Sequence, residues 1–473
     1  MARVGSPESG PVERWSGWRR TRFPTRKNGE PGGRTKAGLH VKTPPRLTED
    51  LTMMKRLTLA LGVACGLAIS AQAEEAPRID THMHLHPLGL DAVLGAGGAG
   101  ERDGAAARQP EARRQMKRQL PENMAPRGQR MRRGAGPASH SADARQSRSG
   151  AGRSEGQGPR MTDSEMAAGL NQAADAMVRK MDQHGVDKSL IVMVPSHWGE
   201  TEDVLRHSRD AVARHPNRLH MVSGGARLNP LLQQTDPDAA DEAATQQFDA
   251  LIDQVVSEGT AGFGEMIAYH LCMTKGHSFQ KALADHPLYL RLADAAARHD
   301  IPIDLHMEAV ERAAPMPNRI ARACSENPSM LTPTIPGLER LLEHNRDARI
   351  VWQHVGWDNT GQMTPALLQR LMAGHPNLYL SLRVVTLPDG YDPASVRNRI
   401  LDSSGGLVPA WRELIEAFPR RVMLGADEFV SPDDEKASLA RSFSTTWSIP
   451  GQLPSELAAK VGGENAQRVY QLR

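Results

Sequence analysis

At 473 residues the chain is long enough for one large domain or several, and long enough to bury a sizeable core. Its formal charge of +3 is unevenly placed: residues 1–53 carry +6, Lys55 and Arg56 add +2, and residues 91–160 carry +7, which leaves −12 for everything else. The part expected to fold is therefore acidic, which argues against nucleic acid as its partner.

Taken in order, residues 1–53 are rich in Arg, Gly and Pro and have no apolar period, so they read as a disordered extension or as a start-site artefact ahead of Met53 or Met54. From Met54 the stretch MKRLTLALGVACGLAISAQA has two basic residues, an apolar run from Leu57 to Ile69 and a small-residue cleavage site at Ala71-Gln72-Ala73. That is the pattern of a bacterial secretory signal peptide over residues 54–73, and it predicts a periplasmic or secreted product with no stable membrane insertion after cleavage. Cys65 offers lipidation as the lesser alternative. The mature chain, 74–473, keeps Cys272 and Cys324, which in an oxidising compartment could pair or stay buried.

Arg78 to Pro87 reads RIDTHMHLHP. On a strand, side chains alternate faces, so His82 and His84 project together and could share a divalent metal. Residues 91–160 are Gly, Ala, Arg, Gln and Ser with almost no β-branched or aromatic residues, a composition that predicts a long disordered insertion after the first strand. Beyond it, Met166, Leu170, Ala173, Met177 and Met181 recur at helical spacing and stop at Gly185. Short apolar runs then alternate with helical patterns: strands at 188–194, 218–226, 260–267, 301–306, 349–354, 377–384 and 421–426, helices at 201–214, 239–258, 287–299, 335–345, 364–373 and 407–418. With Ile79–Met83 this makes eight strands separated by helices, which predicts an α/β fold, a closed (β/α)8 TIM barrel with its chemistry at the C-terminal strand ends.

The polar residues at those ends are His82 and His84, then Glu265, His306, His354 and Asp427, all of metal-ligand type. The pieces IDTHMHLHP, MDQHGVDKSLIVM, GFGEM, IPIDLHME, IVWQHVGW, RVMLGADEF and GGENAQRVYQL resemble the amidohydrolase superfamily over nearly all of the mature chain except the insertion. They are most similar to the branch that includes aminocarboxymuconate semialdehyde decarboxylase, ring-acid decarboxylases and lactone or C–C-bond hydrolases. The resemblance implies that His82, His84, His306 and Asp427 hold a metal, with His354 acting as acid/base or as a further ligand.

Chemistry supports the same set independently. Imidazoles and a carboxylate around a divalent ion, zinc first among the candidates and one or two ions in number, bring the pKa of bound water from ~15.7 towards ~7. Asp427 could take a proton from that water, and His354 has a working pKa near ~6.5. Glu265 is expected either to contact metal, as a bridging carboxylate would, or to serve structure or substrate orientation.

Arg383 and Arg227 are candidates for a substrate carboxylate, each weighed against an ordinary ion pair, and Trp357 and Asn359 for a pocket wall. His197, Trp198 and His270 are loop candidates, and Glu308 is expected to orient a ligand or face solvent. The functional reading is a metal-dependent hydrolase of a small ester, lactone or amide. The alternatives are non-oxidative decarboxylation of a carboxylated ring or semialdehyde compound, and a metal-binding protein without turnover. A homo-oligomer stays open.

Overall fold

The computed structural model describes residues 76–88, 161–193, 202–273, 278–386, 396–433 and 442–473. The extension at 1–53, the signal segment 54–73, the insertion at 91–160 and the candidates His197 and Trp198 lie outside the described residues.

Eight parallel strands form the frame: β1 (Ile79–Leu85), β2 (Lys188–Val192), β3 (Leu219–Gly224), β4 (Phe263–His270), β5 (Ile303–Met307), β6 (Ile350–Val355), β7 (Leu378–Leu382) and β8 (Val422–Leu424). Each pairs with its neighbour in chain order, and Asp80 of β1 pairs with Leu424 of β8, which closes the (β/α)8 barrel. Apolar runs such as Leu190–Val192 are buried because the strands are covered on both faces, by helices outside and by packed side chains within.

Around the barrel lie α1 (Asp163–His184), α2 (Glu202–Ala213), α3 (Gly225–Gln234), α4 (Glu242–Ser257), α5 (Pro287–His299), α6 (Asn318–Ala323), α7 (Ile335–His344), α8 (Pro365–Gly374) and α9 (Pro409–Ala417). α1 shows why these segments are helical. Thr162 and Glu165 form a reciprocal capping box, the predicted stripe Leu170, Ala173, Met177 and Met181 is buried, and Gly185 ends the helix at φ 62°. Towards the C-terminus the chain returns as α10 (Asn465–Val469). There Ala466, Val469 and Tyr470 pack against Ile79, Leu190, Val192, Val222, Val351 and Met423, filling the foot of the barrel with apolar side chains.

The course of the chain after the third strand differs from the sequence expectation. The third strand ends at Gly224, not at residue 226, because Gly224 adopts φ 112° and the chain turns at once into α3. Gly225 then lies so close to the Glu265 backbone that a Cβ there would meet its nitrogen and oxygen at 2.6 and 2.5 Å, so a larger residue would push α3 off β4. The left-open pairing of the cysteines resolves as a Cys272–Cys324 disulfide, which joins the segment after β4 to the end of α6. The Asn327 side chain fastens the same segment, accepting from Cys272 N at 2.8 Å and donating to Cys272 O at 2.7 Å.

Candidate metal centre at the barrel rim

His82 and His84 leave β1 side by side. Their Nε2 atoms face each other at 3.2 Å, and both rings are buried. A register shift in the β1–β2 pairing between Asp80 and Met83 is where the strand departs from plain alternation. The His84 Nδ1–H donates to the Val192 carbonyl at 2.8 Å, which fixes the tautomer and leaves the Nε2 lone pair free for a ligand bond. Phe429 stacks on the His84 ring with centroids 4.3 Å apart.

Asp427 arrives from the segment after β8, where its backbone N–H donates to His82 O at 2.7 Å. It is nearly buried and takes φ 52°, an uncommon conformation for a residue with a Cβ. Its Oδ1 stands 3.1 Å from His84 Nε2 and 3.9 Å from His82 Nε2. Burial alone would raise its pKa, but Arg383 and then His354 overcome that and hold the carboxyl well below the usual range.

His354 occupies the middle. It too has a positive φ, 60°, at a point where the β6–β7 register shifts, so the ring turns inward beside the imidazole pair, 4.6 Å from the His82 ring centroid. Its Nδ1 lies 3.1 Å from Asp427 Oδ2, and its Nε2–H donates to Glu265 Oε1 at 2.8 Å. Glu265 also accepts from His306 Nδ1 at 2.5 Å. Burial would raise the Glu265 pKa, yet the two imidazoles, His306 first, keep it well below normal. Burial lowers the pKa of His354, against the pull of the flanking carboxylates, and so favours a neutral ring ready to take a proton.

The donor set fits a divalent ion. Two buried imidazole nitrogens and a carboxylate oxygen converge from His82, His84 and Asp427, and a second converging group, His82, Glu265 and His354, shares the first histidine. With Zn–N bonds of ~2.0–2.1 Å, tetrahedral ligand atoms sit ~3.3 Å apart. The 3.2 Å His82–His84 and 3.1 Å His84–Asp427 separations match two edges of that shape. Without an ion, nitrogens this close need a proton shared between them. His306 stands one step away from both groups, reaching the cluster through Glu265.

Among the softer candidates, Arg383 and Trp357 reach the cluster and Arg227 does not. Arg227 is a correction: it is a helical residue of α3, and its Nε and Nη2 donate to Glu202 at 2.9 and 2.6 Å while Nη1 donates to Glu258 at 2.6 Å. The guanidinium ties α3 to α2 and α4, each of its three nitrogens donating to a carboxylate. Arg383 is also engaged, pairing with Asp427 and lying 3.9 Å over the Trp357 ring. Glu308 neither binds the cluster nor faces solvent: it is buried, accepts from Asn359 Nδ2 at 2.7 Å, and burial pushes its pKa up to about 7. The His270 ring packs 4.9 Å from that of His306.

Sequence reasoning missed Asp80 and Asn229. Asp80 accepts from the N–H groups of His82 and Ala426 and from Trp447 Nε1 at 2.8 Å, and so fixes both strand ends that carry ligands. An acid inside the apolar run of β1 was the available signal. Asn229 donates to Glu265 O at 2.7 Å and accepts from Ile267 N at 2.9 Å, holding the bend that aims Glu265, and nothing in its surroundings in the sequence marks it.

A protein-family model described as "Amidohydrolase" matches residues 79–472. Solved structures similar to the chain include an amidohydrolase 2 from Bifidobacterium longum subsp. infantis, at 12% identity, 63% of this chain, 86% of that one and a TM-score of 0.33. A dihydroorotase from Campylobacter jejuni is similar at 13% identity, 66% of this chain, 81% of that one and a TM-score of 0.34. No curated protein matches.

Proposed function

The chain belongs to the amidohydrolase family, and from that premise we propose that it is a metal-dependent hydrolase acting on a small ester, lactone or amide. The observation that supports this best is the position of His354, flanked by Asp427 at 3.1 Å and Glu265 at 2.8 Å beside the paired His82 and His84. His82, His84 and Asp427 would hold a divalent ion, with Glu265 and His306 completing its surroundings. When bound, such an ion brings the pKa of its water to about 7, so a nucleophile is available at neutral pH.

The remaining chemistry belongs to the chain. Asp427, its carboxyl held well below the usual range, would take the proton of the attacking water only in passing and hand it to His354 Nδ1, 3.1 Å away. His354 lies within reach of both carboxylates, so a proton taken at Nδ1 leaves an imidazolium stabilised by Glu265 at Nε2. That imidazolium can return the proton to the leaving alkoxide or amine. Burial of the cluster excludes bulk water and strengthens each of these interactions.

The Cys272–Cys324 disulfide supports an oxidising compartment, in keeping with a periplasmic or secreted protein. Among the described residues no helix is long and apolar enough to cross a membrane.

The test is turnover by the zinc-loaded protein of 4-nitrophenyl acetate, δ-valerolactone, an anilide and 2,6-dihydroxybenzoate, with His354→Asn alongside. Hydrolysis of the first three that falls about 100-fold in the variant is expected. Release of carbon dioxide from the aromatic acid alone would replace hydrolysis with decarboxylation, and a bound metal without any turnover would leave a binding protein.

A further inference from the structure

Arg383 follows β7 directly, and its backbone N–H donates to Val355 O at 2.8 Å, so its root is fixed on the neighbouring strand. Its side chain is nearly buried. Nη2 donates to the Asp427 main-chain oxygen at 3.0 Å, and Nη1 pairs with Asp427 Oδ2. The guanidinium carbon sits 3.9 Å from the centre of the Trp357 ring, which closes one face of the group. Trp357 is held in turn: its Nε1 donates to Asn359 Oδ1 at 2.9 Å, Arg319 donates to the same oxygen at 3.0 Å, and Asn359 Nδ2 reaches Glu308 at 2.7 Å.

The two oxygens of Asp427 therefore face different partners. Oδ1 looks at the nitrogens of His84 and His82, while Oδ2 looks at Arg383 and His354 Nδ1. We infer that Arg383 is a positioning residue: by holding the main-chain oxygen and Oδ2 of Asp427 together, it leaves Oδ1 alone to face the imidazole pair. This rests on the metal-centre reading above and assigns Arg383 a different task from substrate capture. A substrate clamp needs a free guanidinium fork, whereas here both terminal nitrogens engage Asp427, Trp357 covers one face, and Nε, unpartnered among the described residues, is buried.

The device answers a specific problem. Asp427 sits at a positive φ, a conformation that persists when the surroundings over-determine it. An unanchored carboxylate there could rotate and offer both oxygens to an ion, crowding the position needed by water. Arg383 removes that freedom, and Lys would do so only in part: an ammonium keeps the charge beside the carboxylate but lacks the planar fork that fixes it against the main-chain oxygen.

The experiment compares wild type, Arg383→Met and Arg383→Lys after loading with Co²⁺, whose visible spectrum reports coordination, and after loading with Zn²⁺, using 4-nitrophenyl acetate as probe and a melting curve as folding control. Expected for Arg383→Met is an altered cobalt spectrum and a kcat about 100-fold lower with KM within about twofold, the size found when an outer partner of a ligand is lost. Arg383→Lys should recover part of kcat and, if the Met variant does not fold, carries the comparison alone. A higher KM at unchanged kcat would make Arg383 a substrate clamp, and an unchanged spectrum with unchanged kinetics would make it a bystander; either overturns the inference while the metal centre stands. Wild-type protein that binds no Co²⁺ would remove the metal-centre reading and this inference together.

Discussion

The foot and the rim of the barrel are built from the same strands and have opposite characters. On β1, Ile79 packs in the apolar foot and His82 sits at the rim; on β6 the pair is Val351 and His354; across β8 it is Met423 and Asp427. Within three or four residues, each strand passes from side chains that bury apolar surface to side chains whose burial raises the free energy unless partners offset it. The foot has an inserted tyrosine, Tyr470, whose OH donates to Asp304 at 2.5 Å and accepts from Gln353 at 3.2 Å. The rim holds two carboxylates, four imidazoles and a guanidinium that satisfy one another only as a set. The lesson is a division of labour along each strand: stability is anchored where the strands begin and chemistry where they end.

Substitutions at the two ends should separate accordingly. His84→Ala at the rim should abolish metal retention and cut kcat/KM by at least about 1,000-fold, while the melting temperature of chelator-treated protein changes little. Met423→Ala at the foot should do the reverse, costing about 2–5 kcal/mol in denaturant unfolding with kcat and KM unchanged in the folded protein. Equal loss of activity in both would dissolve the division.

A smaller effect lies between the two ends. Burial pushes the pKa of Asp304 up to about 8, although Tyr470 and Gln353 pull it back. The folded chain therefore keeps a proton that the unfolded chain releases near pH ~4, and the associated stability is present below that value and lost as pH rises through about 8. In chelator-treated protein, Asp304→Asn should flatten the fall in melting temperature between about pH 4 and 8, the interval between the unfolded and folded values. Parallel curves would show that Asp304 does not titrate there.

The smallest effect belongs to Arg227. Arg227→Gln should lower stability by about 1–2 kcal/mol through loss of the Glu202 and Glu258 contacts and leave KM for 4-nitrophenyl acetate unaltered. A raised KM would return it to the substrate mouth.

Most of the frame was legible in the sequence because continuous apolar strands and amphipathic helices differ in period, and Gly185 marks a helix end chemically. The ligand-type residues were legible because each stands at the end of such a strand. Less visible were features set by backbone course. The early end of β3 at Gly224 moved Arg227 onto a helix, and whether Glu265 entered the cluster depended on a bend held by Asn229. The Val192 carbonyl that orients His84 carries no side-chain signature at all.

The proposed chemistry depends on the rim cluster being a metal centre. Its most direct test is the metal content of the purified protein by mass spectrometry, wild type beside His82→Ala. One or two divalent ions per wild-type chain, lost in the variant with the fold intact by circular dichroism, is the predicted result. A wild-type chain that retains no metal after dialysis against zinc would contradict it.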